Sequence, residues 1–425
     1  MSTTNREHDV DNQPPPGPDD EAPEITAGQP RWLTRGVGGI GAASLLSDLG
    51  HEVPTSLLPS LLTSTLHAPA SALGVIEGIA DGLAGAARLG GGALADDPAR
   101  RRAVAVGGYT TTAVLSGLIG IATSVWQVGV LRGGAWASRG LRVPARNALL
   151  ADVVPPEVYG RAYGFERAMD NLGAIGGPLL ALALVALISI RGAILLSIIP
   201  GLLSAVAIIY AIRRTPSPTV REHRPIRLTV RPLMHGRLGR LLVAAFAFEL
   251  GNLAATLLIL RATELLEPGR SHSSAAQLAL VLYTLYNVAA TLVSVPAGLR
   301  GDRRGMLHVL GAGAVCFLAS YIGLALTGES FSLLALWFVL AGVGIGCAET
   351  AETAAVARLA PERVRGSAFG LLATFQAVGN LAASVIAGIL WTAISPEAAF
   401  IYVAAWMAIA IIGLLLVAAS PKPLT

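Results

Sequence analysis

Apolar residues in this chain are gathered into long runs separated by short polar gaps, and those runs decide its architecture. From Trp32 onward, stretches long enough to cross a bilayer, about 20 residues, recur at regular intervals. They fall near 32–62, 70–94, 103–124, 126–147, 162–189, 192–212, 239–262, 275–299, 306–327, 332–356, 367–393 and 397–419. The pattern predicts an all-α membrane protein with about twelve transmembrane helices. Barrel strands are excluded by run length, since a spanning strand needs only about ten residues of alternating character.

Composition sharpens the picture. Of 425 residues, 53% are hydrophobic and 14% charged, and the mean hydropathy is +0.62. A soluble domain carries roughly a quarter charged residues, so this chain lacks the polar surface to face water all round. The net charge is +4, with Lys422 the sole lysine and arginine the rest of the basic side. That charge sits in short connectors, which argues against a nucleic-acid partner. Cys316 and Cys347 lie inside apolar runs, so neither a disulfide framework nor a zinc site is expected. Residues 1–31 mix Asp9, Asp11, Asp19, Asp20, Glu21 and Glu24 with Pro14 to Pro16 and few large apolar groups. Such a segment is expected to be a disordered acidic tail without a cleavable signal peptide.

The basic residues alternate between connectors. Arg100, Arg101 and Arg102 form one group; Arg139, Arg142, Arg146 and Arg161 the next; then come Arg300, Arg303 and Arg304, and Arg358, Arg363 and Arg365. The intervening connectors are nearly free of them, apart from Arg191 and the 261–270 segment. The positive-inside rule places the arginine-rich side in the cytoplasm, with both termini, and the chain in the cell membrane. A long connector, 213–238, carrying Pro216, Pro218, Pro225 and Pro232, then joins a half spanning 32–212 to one spanning 239–419, followed by a short cytoplasmic tail, 420–425.

The two halves repeat one another. Gly92-Ala93-Leu94-Ala95-Asp96 and Gly298-Leu299-Arg300-Gly301-Asp302 are offset by 206 positions, as are Gly160-Arg161-Ala162-Tyr163-Gly164 and Gly366-Ser367-Ala368-Phe369-Gly370. Gly173 and Gly379 share the offset, and so do Pro155 and Pro361. Repeats of this kind in an apolar chain are a transporter signature.

The segments at Gly92 and Gly298 resemble the loop signature Gly-x-x-x-Asp-Arg-x-Gly-Arg of the major facilitator superfamily. This resemblance implies two pseudo-symmetric six-helix halves and a cytoplasmic gating motif at Gly92, Asp96, Arg100, Gly298, Asp302, Arg303 and Gly305. The first copy departs from the pattern at Asp97 and Ala99, the second at Met306. An aspartate at a helix end can accept hydrogen bonds from a neighbouring helix N-terminus and from arginines, latching the halves together; the plainer reading is solvated topology charge. Gly164, Gly173, Gly177 and Pro178 resemble the motif of proton-coupled antiporters in the same superfamily, with Ala181 and Leu182 in place of its last two glycines. That resemblance implies export; generic small-residue packing is the alternative. The run from Arg139 to Asp152 resembles the connector of a bacterial subgroup that names no substrate.

Charges within the runs are the remaining evidence, since each costs roughly 2.5–3.5 kcal/mol on insertion scales. Asp48 and Glu52 share a face of the first helix, and Glu77 and Asp81 a face of the second. Arg88 and Arg132 follow, then Glu166, Arg167 and Asp170, of which the last two can neutralise each other. The second half offers Glu249, Glu349 and Glu352, with Tyr283 and Asn287 at the positions equivalent to Glu77 and Asp81. Four carboxylates in adjacent helices, with few bases at their depth, are expected to bind protons or a metal cation, Asp48 and Asp81 foremost. His51 reads as a polar packing residue.

The expected function is secondary active transport by alternating access, most simply proton-coupled export of a small molecule by a monomer in the lipid bilayer. A metal-ion or metal-chelate transporter using the same carboxylates is the alternative, and a transporter-like sensor a more distant one. No Walker loop, zinc spacing or nucleophile motif is found, so neither catalysis nor a cofactor is expected.

Overall fold

The computed structural model describes residues 31–214, 226–227 and 230–419. The expected acidic tail up to residue 30, half of the 213–238 connector and the 420–425 tail lie outside the described residues. Within them the protein is all-α: α1 (Arg35–Ser60), α2 (Ala70–Ala95), α3 (Pro98–Leu118), α4 (Val125–Val153), α5 (Tyr159–Leu187), α6 (Ile190–Leu196), α7 (Ile198–Arg213), α8 (Gly236–Glu249), α9 (Ala255–Leu266), α10 (His272–Arg304), α11 (Met306–Leu326), α12 (Phe331–Leu359), α13 (Arg365–Ala393) and α14 (Pro396–Ala418). Ten of the apolar runs form one helix each. Two are broken: 192–212 pauses at Ser197 between α6 and α7, and 239–262 is interrupted between Glu249 and Ala255.

Polar side chains start the helices at defined places. Asp97 caps α3, accepting from the Ala99 amide at 2.9 Å with Pro98 following it, which gives the departure from the family signature a local purpose. Ser330 and Ser395 cap α12 and α14 in the same way. Eight spans are long and apolar enough to cross a membrane by length and composition. The first, second and fourth runs fall short because they carry the charges discussed below, and the seventh because it is broken. Large apolar side chains such as Trp126, Leu182, Leu292 and Leu416 are exposed, on faces suited to lipid.

Inside the first half, α1 packs along α5 and α7, and α2 and α3 along α4; in the second, α12 packs along α10 and α11, and α14 along α11. Beside lesser contacts of α5 on α12 and α4 on α13, the two main crossings between the halves are α5 on α10 and α2 on α13. Both use glycine to bring backbones together. A Cβ on Gly92 would lie 2.7 Å from the Gly366 carbonyl oxygen, and one on Gly370 would lie 2.7 Å from that of Arg88. Gly160 meets Gly298, and Gly164 meets the Ser294 carbonyl, in the equivalent crossing. The arginines that break the alternation of basic connectors are occupied locally. Arg191 donates to the Ala122 carbonyl at 2.6 Å, and Arg261 pairs with Glu397 at 2.7 Å.

Candidate functional site

The crossings end in two carboxylates. Asp96, the residue after α2, accepts from the Ser367 amide at 2.9 Å and from the Ser367 hydroxyl, in the first turn of α13. Asp302, in the last turn of α10, accepts from the Gly160 amide at 2.8 Å and the Arg161 amide at 3.0 Å, in the first turn of α5. Each acid therefore satisfies free N–H groups at the positive end of a helix from the other half. Asp302 is also held by Arg161 at 3.1 Å and Arg358 at 2.7 Å. Both acids are buried, a poor fit to freely solvated charge. Burial pushes the Asp96 carboxyl up from its ordinary value, and the Ser367 hydrogen bonds pull it back.

The arginines at this end differ from those expected. Arg100 pairs with the capping Asp97 at 3.5 Å, and Arg303 is exposed on the last turn of α10. The partners missed in the sequence are Arg161, Arg358 and Ser367. Their signal was present: Gly160-Arg161 and Gly366-Ser367 stand at the same offset as the two aspartates. Gly92 and Gly298 lie in the close crossings, and Gly305 ends α10 with φ +100°, a left-handed geometry that suits glycine.

The expected acidic cluster of the first two helices is corrected by the packing. The helices α1 and α2 barely touch, because α2 lies along α4 and α13 while α1 lies along α5 and α7. Bases are not scarce either. Arg132, Trp136, Arg139 and Arg146 recur at helical spacing on one side of α4. Arg132 pairs with Glu77 at 2.9 Å, donates to Thr55 at 3.0 Å and stacks over Trp136. The Trp136 indole donates to Asp81 at 3.0 Å. Asp48 lies 3.5 Å from His51 and 3.7 Å from Arg139, and Glu52 lies 3.4 Å from His51. The carboxylates thus fall into two partnered groups, Asp48 and Glu52 about His51, and Glu77 and Asp81 about Arg132 and Trp136. No group of three or more His, Cys, Asp and Glu suited to a metal occurs among the described residues.

A second network crosses between the halves. Arg146 pairs with Glu166 at 2.7 Å and with Asp170 at 3.3 Å; Arg167 pairs with Asp170 at 2.9 Å and reaches Glu349 of α12 at 3.4 Å. Arg167 and Asp170 do meet, but inside a larger chain of charge rather than as an isolated pair. From α2, Arg88 donates to the Ala373 carbonyl of α13 at 2.7 Å. The antiporter-like glycines seat α1 on α5: a Cβ on Gly173 would lie 2.6 Å from the Leu45 carbonyl oxygen, and one on Gly177 would overlap the Glu52 side chain. Pro178 lies within α5.

In the second half, Glu249 ends α8 and accepts from the Asn252 amide nitrogen at 2.9 Å. The unwound residues after it are held by side chains: Tyr321 accepts from the Leu253 amide at 3.3 Å, Ser384 from the Ala254 amide at 3.0 Å, and Asn380 donates to the Asn252 carbonyl at 2.8 Å. A broken span survives in a bilayer on such substitutes for helical hydrogen bonds. Glu352 of α12 accepts from Gln376 of α13 at 3.0 Å. Tyr283 stacks on Tyr286, and Asn287 donates to the Tyr283 carbonyl at 2.9 Å within α10.

The family profile of the Major Facilitator Superfamily matches residues 40–267 and 265–425. The uncharacterized MFS-type transporter MJ1317 of Methanocaldococcus jannaschii is 29% identical over 374 residues, covering 88% of this chain and 92% of that protein. The uncharacterized protein Rv2265 of Mycobacterium tuberculosis is 27% identical over 359 residues, covering 83% and 85%. Among solved structures, a bacterial homologue of the iron transporter ferroportin, in an outward-facing state, superposes with a TM-score of 0.72 at 17% identity, covering 91% of this chain and all of that one.

Proposed function

The chain belongs to the major facilitator superfamily, and we propose that it exports a small molecule across the cell membrane in exchange for protons, by alternating access. The observation that carries this reading is the pair of equivalent latches, Asp96 on the α13 N-terminus and Asp302 on the α5 N-terminus. Both lie at the arginine-rich end, which the positive-inside rule assigns to the cytoplasm. The halves are therefore clasped on that side, and transport requires a second state in which both latches are released. Export is supported by the glycines of α5 and their resemblance to the antiporter motif. Coupling to protons is supported by two carboxylates of α12: half-buried Glu349, which pairs with Arg167 across the seam between the halves, and buried Glu352. A metal cargo held between α1 and α2 is the less supported alternative, since the two helices barely touch and Glu77 pairs with Arg132.

The test begins with growth of a strain lacking the transporter, against toxic organic compounds. Uptake of the compounds it resists is then measured in inverted membrane vesicles. Accumulation driven by a pH gradient and abolished by an uncoupler is expected. Accumulation indifferent to the gradient, or transport in the opposite sense only, would overturn the reading.

A further inference from the structure

We infer that Glu352, with Glu249 beside it, is the group that carries the proton through this transporter, and that it releases the proton when α13 swings away from α2. The inference rests on the proposal that transport is proton-coupled and proceeds by alternating access.

Glu352 is 1% exposed. Its Oε2 accepts from Gln376, while its Oε1 is shut off from solvent without a hydrogen-bond partner in the structure. A carboxylate oxygen deprived of both water and donors cannot hold charge cheaply, and the group takes up a proton instead. Glu249, 3% exposed, is a second buried acid, packed against the same helix, α13, at Gly379. Of the nearby cations, Arg167 of α5 is paired with Asp170 and Glu349, and Arg88 of α2 donates to the Ala373 carbonyl. On α4, Arg146 is held by Glu166 and Asp170. The remaining titratable neighbours of Glu249 are Glu349 of α12, Tyr286 of α10 and Tyr321 of α11.

The helix that holds this pair is the one the Asp96 latch clasps. From its N-terminus, α13 offers Ser367 to Asp96, the Ala373 carbonyl to Arg88, and Gln376 to Glu352. At Gly379 it packs directly against Glu249, where a Cβ would lie 2.5 Å from that of the glutamate. Beyond that, Asn380 and Ser384 tie down the unwound residues that follow Glu249. Release of α13 from α2 parts the halves at the helix that carries Gln376 and Gly379, and so admits water to Glu352 and Glu249 in one movement. With the latch closed the pair keeps its proton; with the latch open it gives the proton to the arginine-rich side. That order is the one export in exchange for protons requires.

The experiment uses the purified full-length transporter in detergent without substrate, with protons as the sole probe. Infrared difference spectroscopy should show the carbonyl stretch of a protonated, water-shielded carboxyl at neutral pH. Glu352→Gln should abolish the band, and Glu352→Asp should keep it at a shifted frequency. Spin labels on α2 and α13 should report opening as pH rises, with the closed-to-open ratio changing by up to about tenfold per pH unit for one coupled proton. Glu352→Gln should stay closed without responding, and Glu249→Gln should move the midpoint. If Glu352→Gln fails to fold, Gln376→Ala should still shift band and midpoint together. An unchanged band and pH response in Glu352→Gln would overturn the inference, as would their loss in Asp48→Asn alone, or opening that follows sodium or a divalent cation at fixed pH. Failure to find an exported compound would sink the export reading while leaving these proton measurements as they stand.

Discussion

The carboxylate of Asp302 accepts a hydrogen bond from the backbone amide of Gly160 at 2.8 Å, joining the end of α10 to the start of α5. Its counterpart, Asp96, makes the same kind of contact with Ser367, but the two latches are not equally built. Asp302 is reinforced by Arg161 and Arg358, while Asp96 is met at the crossing by the amide and the hydroxyl of Ser367. Removing the charge of Asp302 leaves two arginines and two amides short of an acceptor. Losing a charge-assisted partner costs about 1.5–3 kcal/mol, so Asp302→Asn should shift the halves toward the open state by about tenfold or more. Asp96→Asn should shift them less, because burial already disfavours the charge of Asp96 in the closed latch. Accessibility of single cysteines from the arginine-rich side measures both. Equal accessibility in the two variants and the parent would reduce the aspartates to topology signals.

Glycines on one face of α2 allow a contrast within a single helix. A Cβ on Gly92 would lie 2.7 Å from a backbone oxygen of α13, where nothing can give way, while one on Gly85 would lie 3.8 Å from Ala377, an ordinary contact. Gly92→Ala should therefore lower transport at least about tenfold, by blocking the closed crossing, with membrane insertion intact; Gly85→Ala should be near neutral. Similar activity in both would mean that the crossing is not part of the cycle.

How much of this could be read in advance follows from which features are local. Run length and helical period are local, so the helices and the two halves were legible from residues such as Gly92 and Gly298 at their fixed offset. The break after Glu249 was not, because Leu250-Gly251-Asn252-Leu253 keeps the run apolar enough to pass for continuous helix. Its cause is supplied by Tyr321, Asn380 and Ser384, far away in the chain. Arg139 and Arg146 read as connector charge although the expected run, 126–147, already contained them, because they fall toward its basic end beside Arg161. The helix in fact runs to Val153 and carries both of them within it. The partners of Asp48, Glu77 and Asp81 depend on which helices are neighbours, and period alone does not say.

The pairing of Arg132 with Glu77 makes a stability prediction. Arg132 is 1% exposed, and its removal strands a half-buried carboxylate and unstacks Trp136. Arg132→Ala should destabilise the protein by about 3–5 kcal/mol, the range for breaking a buried pair. Arg132→Met combined with Glu77→Gln should recover most of that loss. Thermal unfolding in detergent compares them; a double variant no better than Arg132→Ala would show that the pair does more than neutralise charge.

A similar comparison applies where α1 meets α5. Gly177→Val places branched carbon into the Glu52 side chain and must push α1 away from α5. Transport should fall by more than about tenfold, since a displaced α1 carries Asp48 and His51 with it, while expression should hold. Normal transport at normal expression would show that the glycine face of α5 is not a tight interface, and the support for export would weaken with it.

The Asp96 latch should also respond to acid, and the sign follows from its burial. The carboxyl is pushed up in the closed latch relative to its ordinary value, so the closed state binds the proton more tightly than an open, hydrated one. Closure is then favoured at pH below the ordinary carboxylate range. The advantage is lost as pH rises through the interval between the ordinary value and the raised one, and above that interval Asp96 contributes no further change. Spin-label distances between α2 and α13 should accordingly shorten further on acidification through the carboxylate range, and Asp96→Asn should remove that acid response while sparing any response nearer neutrality. A latch that instead loosens on acidification, or an acid response that survives in Asp96→Asn, would place the titrating group elsewhere.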